Sequence, residues 1–514
     1  MNLLAILLLL PLAGFFVVAF SPRDSKVPYL AALAITLITF AVSFGLIDPA
    51  TTDPTHFSSV IDLPWITTPG FEIHLHLGVD GINLWLIILT TFLLPIAVWM
   101  SESMIKDRKK SFFALLLLFE FGLIGVFTAL DLFVFYLFWE VALVPMYLMV
   151  GAWGSGIRGP AAVKFFVYTM FGSVLMLASL IYLLSITGST GYLQILTAFS
   201  SGRVTLSSDQ QLLIFLGFFM AFAVKVPIFP FHTWLPNTYT EAPMPATFLL
   251  AAIMSKMGTY GLLRFALTVS PGAAQRCAPW IVVLAIIGII YGALIALMQT
   301  NLKRLIAYSS VSHLGFIVLG IFSFTQQGAD GAVYQMLAHG LSTGGLFLLA
   351  GYLEQRRGSL EISDLGGIAT PAPVLSTVFM ITLLASIGLP TLCNFIGEFL
   401  VLQGAAIAHF SWALWAALGV ILSAAYMLWM YQRVFLGKTD ETTAKFTDLS
   451  ISDLVPVAPL LLMMVWLGCY TQTFMPAISS ATKNLLDQTT MNNTYQVQKQ
   501  TPGLKQVAES THAR

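Results

Sequence analysis

Apolar runs of about 20 residues recur along this chain from end to end, each long enough to cross a bilayer as one helix. Hydrocarbon offers no water to pair with backbone amides, so such runs fold as helices that satisfy their own hydrogen bonds. Charged residues are 9% of the 514 and apolar types 57%, far from the usual soluble balance of about one quarter charged. Mean hydropathy is +0.85. The sequence therefore predicts an all-α membrane protein, and the spread of the runs excludes a single anchor attached to a soluble domain.

The apolar pattern predicts about 14 transmembrane helices, near 2–20, 28–47, 81–100, 112–130, 132–150, 161–186, 210–230, 243–268, 279–298, 304–323, 331–353, 374–405, 411–434 and 455–473. Lys and Arg set the orientation. Leaving out Lys225, Lys256 and the four in the polar tail, fifteen fall in loops after odd-numbered helices and three (Arg203, Arg264 and Arg276) on the other side. Both termini are thus expected outside, and the odd loops inside. The first segment has no basic residue before it and no small-residue cleavage site, so it reads as a retained helix.

Other features are informative mainly by what they exclude. Cys277, Cys393 and Cys469 are scattered without ligand spacing, and no Gly-rich phosphate loop or dinucleotide fingerprint occurs. The energy for any transport is expected from elsewhere. The loop 48–80 carries Asp48, Asp53, Asp62, Glu72 and Asp80 and no basic residue, and reads as a solvated outer cap. Residues 474–514, rich in Gln, Thr, Asn and Lys, read as a polar extension without apolar periodicity, extended or disordered unless a partner orders it.

Five ionisable residues lie inside apolar stretches: Glu120, Glu140, Lys225, Lys256 and Glu398. Each costs about 2.5–3.5 kcal/mol on insertion scales, so together they imply a polar path through the membrane. Lys225 and Lys256 flank a turn near 240 at similar distances, as His313 and His339 do around 326 and Glu120 and Glu140 around 130, so each pair is expected at one depth. Buried Lys and Glu, whose protonation shifts with burial and with nearby charge, and His, which titrates near neutrality, suit proton transfer. Asp131 and Glu241 fall near helix ends where water can solvate them, and His232 is expected at an interface.

Two helices are expected to be broken. Pro227, Pro230 and Pro236 interrupt the seventh, and Gly388 and Pro390 the twelfth. Each break adjoins a buried charge, Lys225 or Glu398, and the two occupy corresponding places in helices 4–8 and 9–13. A five-helix shift inverts topology, so the pattern fits two inverted repeats. The expected divisions are 1–111 with the outer loop, 112–268 and 279–434 as the two repeats, 435–473 as the last helix, and 474–514 as the tail.

The stretches FYLFWEVALVPMYLMVG around Glu140, FAVKVPIFPFHTWLPNTYTEAP around Lys225, MSKMGTYGLLR around Lys256, NLKRLIAYSSVSHLGF around His313, MLAHGLSTGGLFLLAGYL around His339 and GLPTLCNFIGEFLVL around Glu398 resemble the antiporter-like membrane subunits of respiratory complex I. That family pumps protons as part of NADH:quinone oxidoreductase. The resemblance covers about residues 80–435. Glu398 stands where L-type, N-type and Mrp-type relatives generally carry lysine, so the M-type branch is the most similar. It implies that Glu140 and Lys225 form an ion pair responding to a neighbouring subunit, and that Lys256, His313 and His339 form a central relay. Glu398 becomes the outward terminal group, with Glu120 a further candidate. It also implies a bacterial inner-membrane location and L-like and N-like neighbours amid membrane lipids, with no nucleic acid. NADH, FMN, iron–sulfur clusters and quinone would sit in partner subunits, with no cofactor in this chain. The alternatives are an Mrp-type sodium/proton antiporter subunit and a scaffold that has lost transport.

Overall fold

The structure is a computed structural model describing residues 2–22, 25–47, 56–68, 70–439, 441 and 443–500, with side chains described through 490. Among these, twelve helices are long and apolar enough to cross a membrane. The two further segments expected from the sequence are those that are split. One consists of Ser208–Lys225 and Trp234–Glu241, the other of Pro373–Ser386 and Cys393–Ala408.

Each split follows from proline chemistry, since proline has no amide hydrogen and frees a carbonyl of the preceding turn. At membrane depth that carbonyl needs a protein partner. In the first break the indole of Trp234 donates to the Val224 carbonyl at 2.8 Å. In the second, the Asn394 side-chain amide donates to the Ser386 carbonyl at 3.1 Å. Thus a residue beyond each gap caps the helix before it. Gly388 has φ +77°, and a Cβ there would lie 2.8 Å from a Glu398 carboxylate oxygen, so both the turn and the close approach require glycine.

Neighbour order repeats along the chain. Lys109–Thr128 packs on Leu132–Trp153, that on Arg158–Thr187, and that on the first broken helix. Pro271–Leu297 packs on Leu302–Phe322, that on Gln326–Arg357, and that on the second broken helix. Small residues allow the close approaches: a Cβ on Gly122 would meet the Ala142 backbone at 2.9 Å, and one on Gly292 the Ser312 amide at 2.9 Å.

Two expectations are corrected. The acidic loop is more than a solvated cap, because Ser58–Thr68 and Phe71–Val79 form an antiparallel hairpin set on the mostly helical fold. Its second strand alternates apolar and polar residues in FEIHLHLGV and buries Ile73, Leu77 and Val79. His74 Nδ1 lies 2.6 Å from Asp62 Oδ1, and this hydrogen bond raises the His74 pKa above its ordinary value. Asp48 and Asp53 lie outside the described residues.

The tail, the second correction, is helical over Met475–Gln500. Ala477, Ile478, Ala481, Thr482 and Leu485 are buried, a stripe of small and apolar residues at helical spacing, set against Gln326–Arg357. Thr482 hydrogen-bonds the Asp330 carboxylate, and the Gln326 amide donates to Thr482 Oγ1 at 2.8 Å. The order comes from this groove within the chain, where an extension left extended or disordered in the absence of a partner was expected. Residues 501–514 lie outside the described residues.

Candidate proton relay

The three helices that carry Lys256, His313 and His339 (Met244–Val269, Leu302–Phe322 and Gln326–Arg357) are almost wholly buried. Two wide, π-helical turns, Leu250–Met254 and Leu262–Ala266, flank the Lys256 segment. Such turns loosen the i→i+4 ladder and occur frequently at functional sites. Lys256 Nζ donates to the Ala251 carbonyl at 2.6 Å and to His339 Nδ1 at 2.8 Å. With Nδ1 accepting, the neutral His339 ring carries its proton on Nε2, which reaches Ser310 Oγ at 3.2 Å.

A second rung lies beside the first. His313 Nδ1 donates to Glu398 Oε1 at 2.9 Å, and the Gln335 amide donates to the same oxygen at 3.1 Å. Ser310 and His313 are three apart on one helix, and Gln335 and His339 four apart on the other, so each helix serves both rungs from one face. The His313 and His339 ring centres are 5.7 Å apart. His313 Nε2 is buried without a hydrogen-bond partner in the protein. The lateral file thus runs Lys256, His339, Ser310, then His313 and Glu398, with one open step between the rungs.

The other candidates are placed differently. Lys225 is 1% exposed, and its Nζ has no hydrogen-bond partner; it lies over the rings of Trp139 at 5.3 Å and Phe165 at 5.6 Å. Among the described residues no ion-pair contact joins it to Glu140, although Glu140 is close enough to act on it electrostatically. Both Glu120 carboxyl oxygens and Glu140 Oε1 are buried without partners. A Cβ at Gly258 would lie 3.1 Å from that of Lys225, which keeps Lys225 within about two residues of the Lys256 level. Glu120 and Glu140 are not level: Gly122 faces Ala142 and Gly125 faces Phe138, which sets Glu120 roughly opposite Leu143.

Asp131 caps the Leu132–Trp153 helix, accepting from the Phe133 and Val134 amides and from Thr190, and Glu241 accepts from the Ile157 amide, so both are tied up in helix ends and turns. His232, expected at an interface, is buried between the rings of Phe229 and Tyr291. Sequence reasoning missed Ser310 and Gln335, whose types are ordinary in helices. It also counted Lys303 as a loop charge. Lys303 is 3% exposed, donates to the Ala242 carbonyl at 2.6 Å, and lines a polar cavity of about 640 Å³ with Lys106, Arg158 and Glu354. Among the described residues no three His, Cys, Asp or Glu side chains are grouped to hold a metal ion.

The fold thus brings Lys256, His339, His313 and Glu398 together in its buried interior, beside two broken helices. Residues 129–424 match the family described as NADH:quinone oxidoreductase/Mrp antiporter, TM. The chain belongs to this family, and within it to the subunit M group of the NADH-quinone oxidoreductases. It is 40% identical over 494 residues to subunit M of Rickettsia bellii, covering 94% of this chain and 98% of the relative. Identity to the subunit M of Rhodobacter capsulatus is also 40%, over 504 residues, covering 94% and 96%. A chain of respiratory complex I from Thermus thermophilus with bound NADH superposes with TM-score 0.86 at 30% identity, covering 95% of this chain and 99% of that one. A chain of the Mrp complex from Dietzia sp. shares the fold, with TM-score 0.83 at 21% identity and coverage of 96% and 100%.

Proposed function

We propose that this chain carries protons across the membrane as the M-type subunit of NADH:quinone oxidoreductase, driven by quinone reduction elsewhere in the complex. The observation that carries the reading is the contact between the two rungs, which brings a lysine, two histidines and a glutamate from four helices into one buried file. Each member can hold or pass a proton, and the single open step between His339 and His313 is short enough for one water to bridge. Lys256, His339 and His313 are the relay and Glu398 the outward terminal group. Glu140 and Lys225 are the pair that responds to a neighbouring subunit, with Glu120 beside them. The 640 Å³ cavity at Lys303 supports water access from the basic side.

In this reading the chain crosses a bacterial inner membrane fourteen times with both termini outside, and 112–268 and 279–434 are inverted repeats. The repeated neighbour order and the fourth-place breaks support that division. Its neighbours are the L-like and N-like subunits, and NADH, FMN, iron–sulfur clusters and quinone are held by other chains. An Mrp-type sodium/proton antiporter subunit is the second reading, favoured by the shared fold and weighed against by Glu398.

Purification in mild detergent, followed by reconstitution, separates the two. Co-purifying NADH-oxidising subunits and NADH-driven proton uptake into vesicles are expected. Antiporter partners and sodium-driven exchange would overturn the proposal. Glu140→Ala should impair pumping in an assembled complex, and normal pumping by that variant would remove the Glu140–Lys225 pair from the mechanism.

A further inference from the structure

The helix that carries Lys256 holds a second buried cation that the relay does not use. Arg264 is 3% exposed, and Tyr260, four residues after Lys256 and four before Arg264, has its ring beneath the Arg264 guanidinium. Arg264 Nη2 lies 2.5 Å from Asp80 Oδ2, at the foot of the hairpin. Its guanidinium also covers the rings of Phe57 at 5.3 Å and Tyr260 at 5.6 Å. The other Asp80 oxygen accepts from the amides of Ile82 at 3.0 Å and Asn83 at 3.2 Å, so the carboxylate is shared among several donors. Arg264 Nε makes no hydrogen bond, and the Tyr260 and Tyr192 hydroxyls join Asp80 in acting on its charge.

A buried ion pair is weak evidence for stability, because well-packed apolar residues often serve as well. The location is more telling. A proton leaving Lys256 straight along its own helix toward the hairpin would meet Arg264 within about two turns. Arginine stays charged, and fixed positive charge in a narrow path excludes protons. We propose that Arg264, clamped by Asp80, is an electrostatic plug that closes the short route from Lys256 to the hairpin side, leaving the sideways transfer to His339 as the exit. The proposal rests on the proton-carrying reading above, and makes Arg264 a positioning residue for the direction of transfer.

The test is passive proton flux into vesicles containing the whole complex, with an imposed pH gradient and no NADH. Arg264→Met combined with Asp80→Asn removes both charges while keeping the acceptor for the Ile82 and Asn83 amides. This variant should leak about tenfold faster than the parent, oxidise NADH and build a weaker gradient. Adding Lys256→Ala to the double variant should abolish the extra flux, which a loosened hairpin would not do. An assembled double variant as tight as the parent, or a leak that survives loss of Lys256, overturns the plug. Failure of the parent to pump with NADH would instead refute the proton-carrying reading.

Discussion

On one side of the buried file, Lys256, His339 and Ser310 are joined by hydrogen bonds, as are His313, Glu398 and Gln335. On the other, Lys225 Nζ, Glu140 Oε1 and both oxygens of Glu120 lie buried without hydrogen-bond partners. Under the proposed function, the contrast separates two jobs. The bonded side has its tautomers set by its partners and can pass a proton with little rearrangement. The unbonded side stores polar groups whose best partner is absent from this arrangement, so a small movement or a water changes its energy most. A buried polar network without partners costs more than one that is complete.

The largest test of this contrast is a matched pair of substitutions. Lys256→Met strips the donor from His339 Nδ1, worth about 1–3 kcal/mol when left unsatisfied, while the Ala251 carbonyl keeps the Ser255 hydroxyl at 3.3 Å, so it should end pumping and lower stability by about 1–3 kcal/mol. Lys225→Met should impair pumping with stability unchanged or raised, because the cation–ring attraction it removes, worth about 2 kcal/mol, is offset by relief of an unpaired charge. Thermal unfolding of the purified complexes decides it, and equal destabilisation would erase the distinction.

Glu398 gives a sharper, smaller test. Glu398→Gln keeps an acceptor for His313 but cannot ionise, so proton uptake should fall about tenfold. Glu398→Lys can titrate, yet it faces two donors, His313 Nδ1 and the Gln335 amide. Partial pumping should therefore rise further when Gln335→Glu is added. If the Gln variant pumps like the parent, Glu398 is a structural acceptor and the file ends at His313. The smallest effect is expected of Ser310→Ala, which removes one 3.2 Å bond worth about 1 kcal/mol and should slow pumping only severalfold, as initial rates of vesicle acidification can show.

Charge placement made the relay candidates legible in the sequence, since a lysine within about twenty apolar residues is costly enough to point to a task. The proline and glycine punctuation likewise marked both breaks. What was illegible depended on packing. The alternation in FEIHLHLGV was overshadowed by the acidic content of its loop, and the tail's stripe of Ala, Thr and Leu is too weakly apolar to stand out from its Gln and Asn. Asp80 and Arg264 looked like loop charges because their distance along the chain hides a 2.5 Å contact. The pairing of Glu120 with Glu140 failed because an assumed midpoint at 130 ignored the glycines that set the register.

Two wide turns bracketing the seven residues Ser255–Gly261 also bear on how Lys256 can move. Each such turn holds one residue more than the regular ladder, which rotates the downstream side chains by about 100° around the helix. Passing a wide turn through the bracketed stretch swings each side chain around the axis while both ends of the helix stay in place. The ammonium of Lys256 thus sits on a short regular segment held between two looser ladders, bonded to His339 on one side while Gly258 of the same segment packs against Lys225.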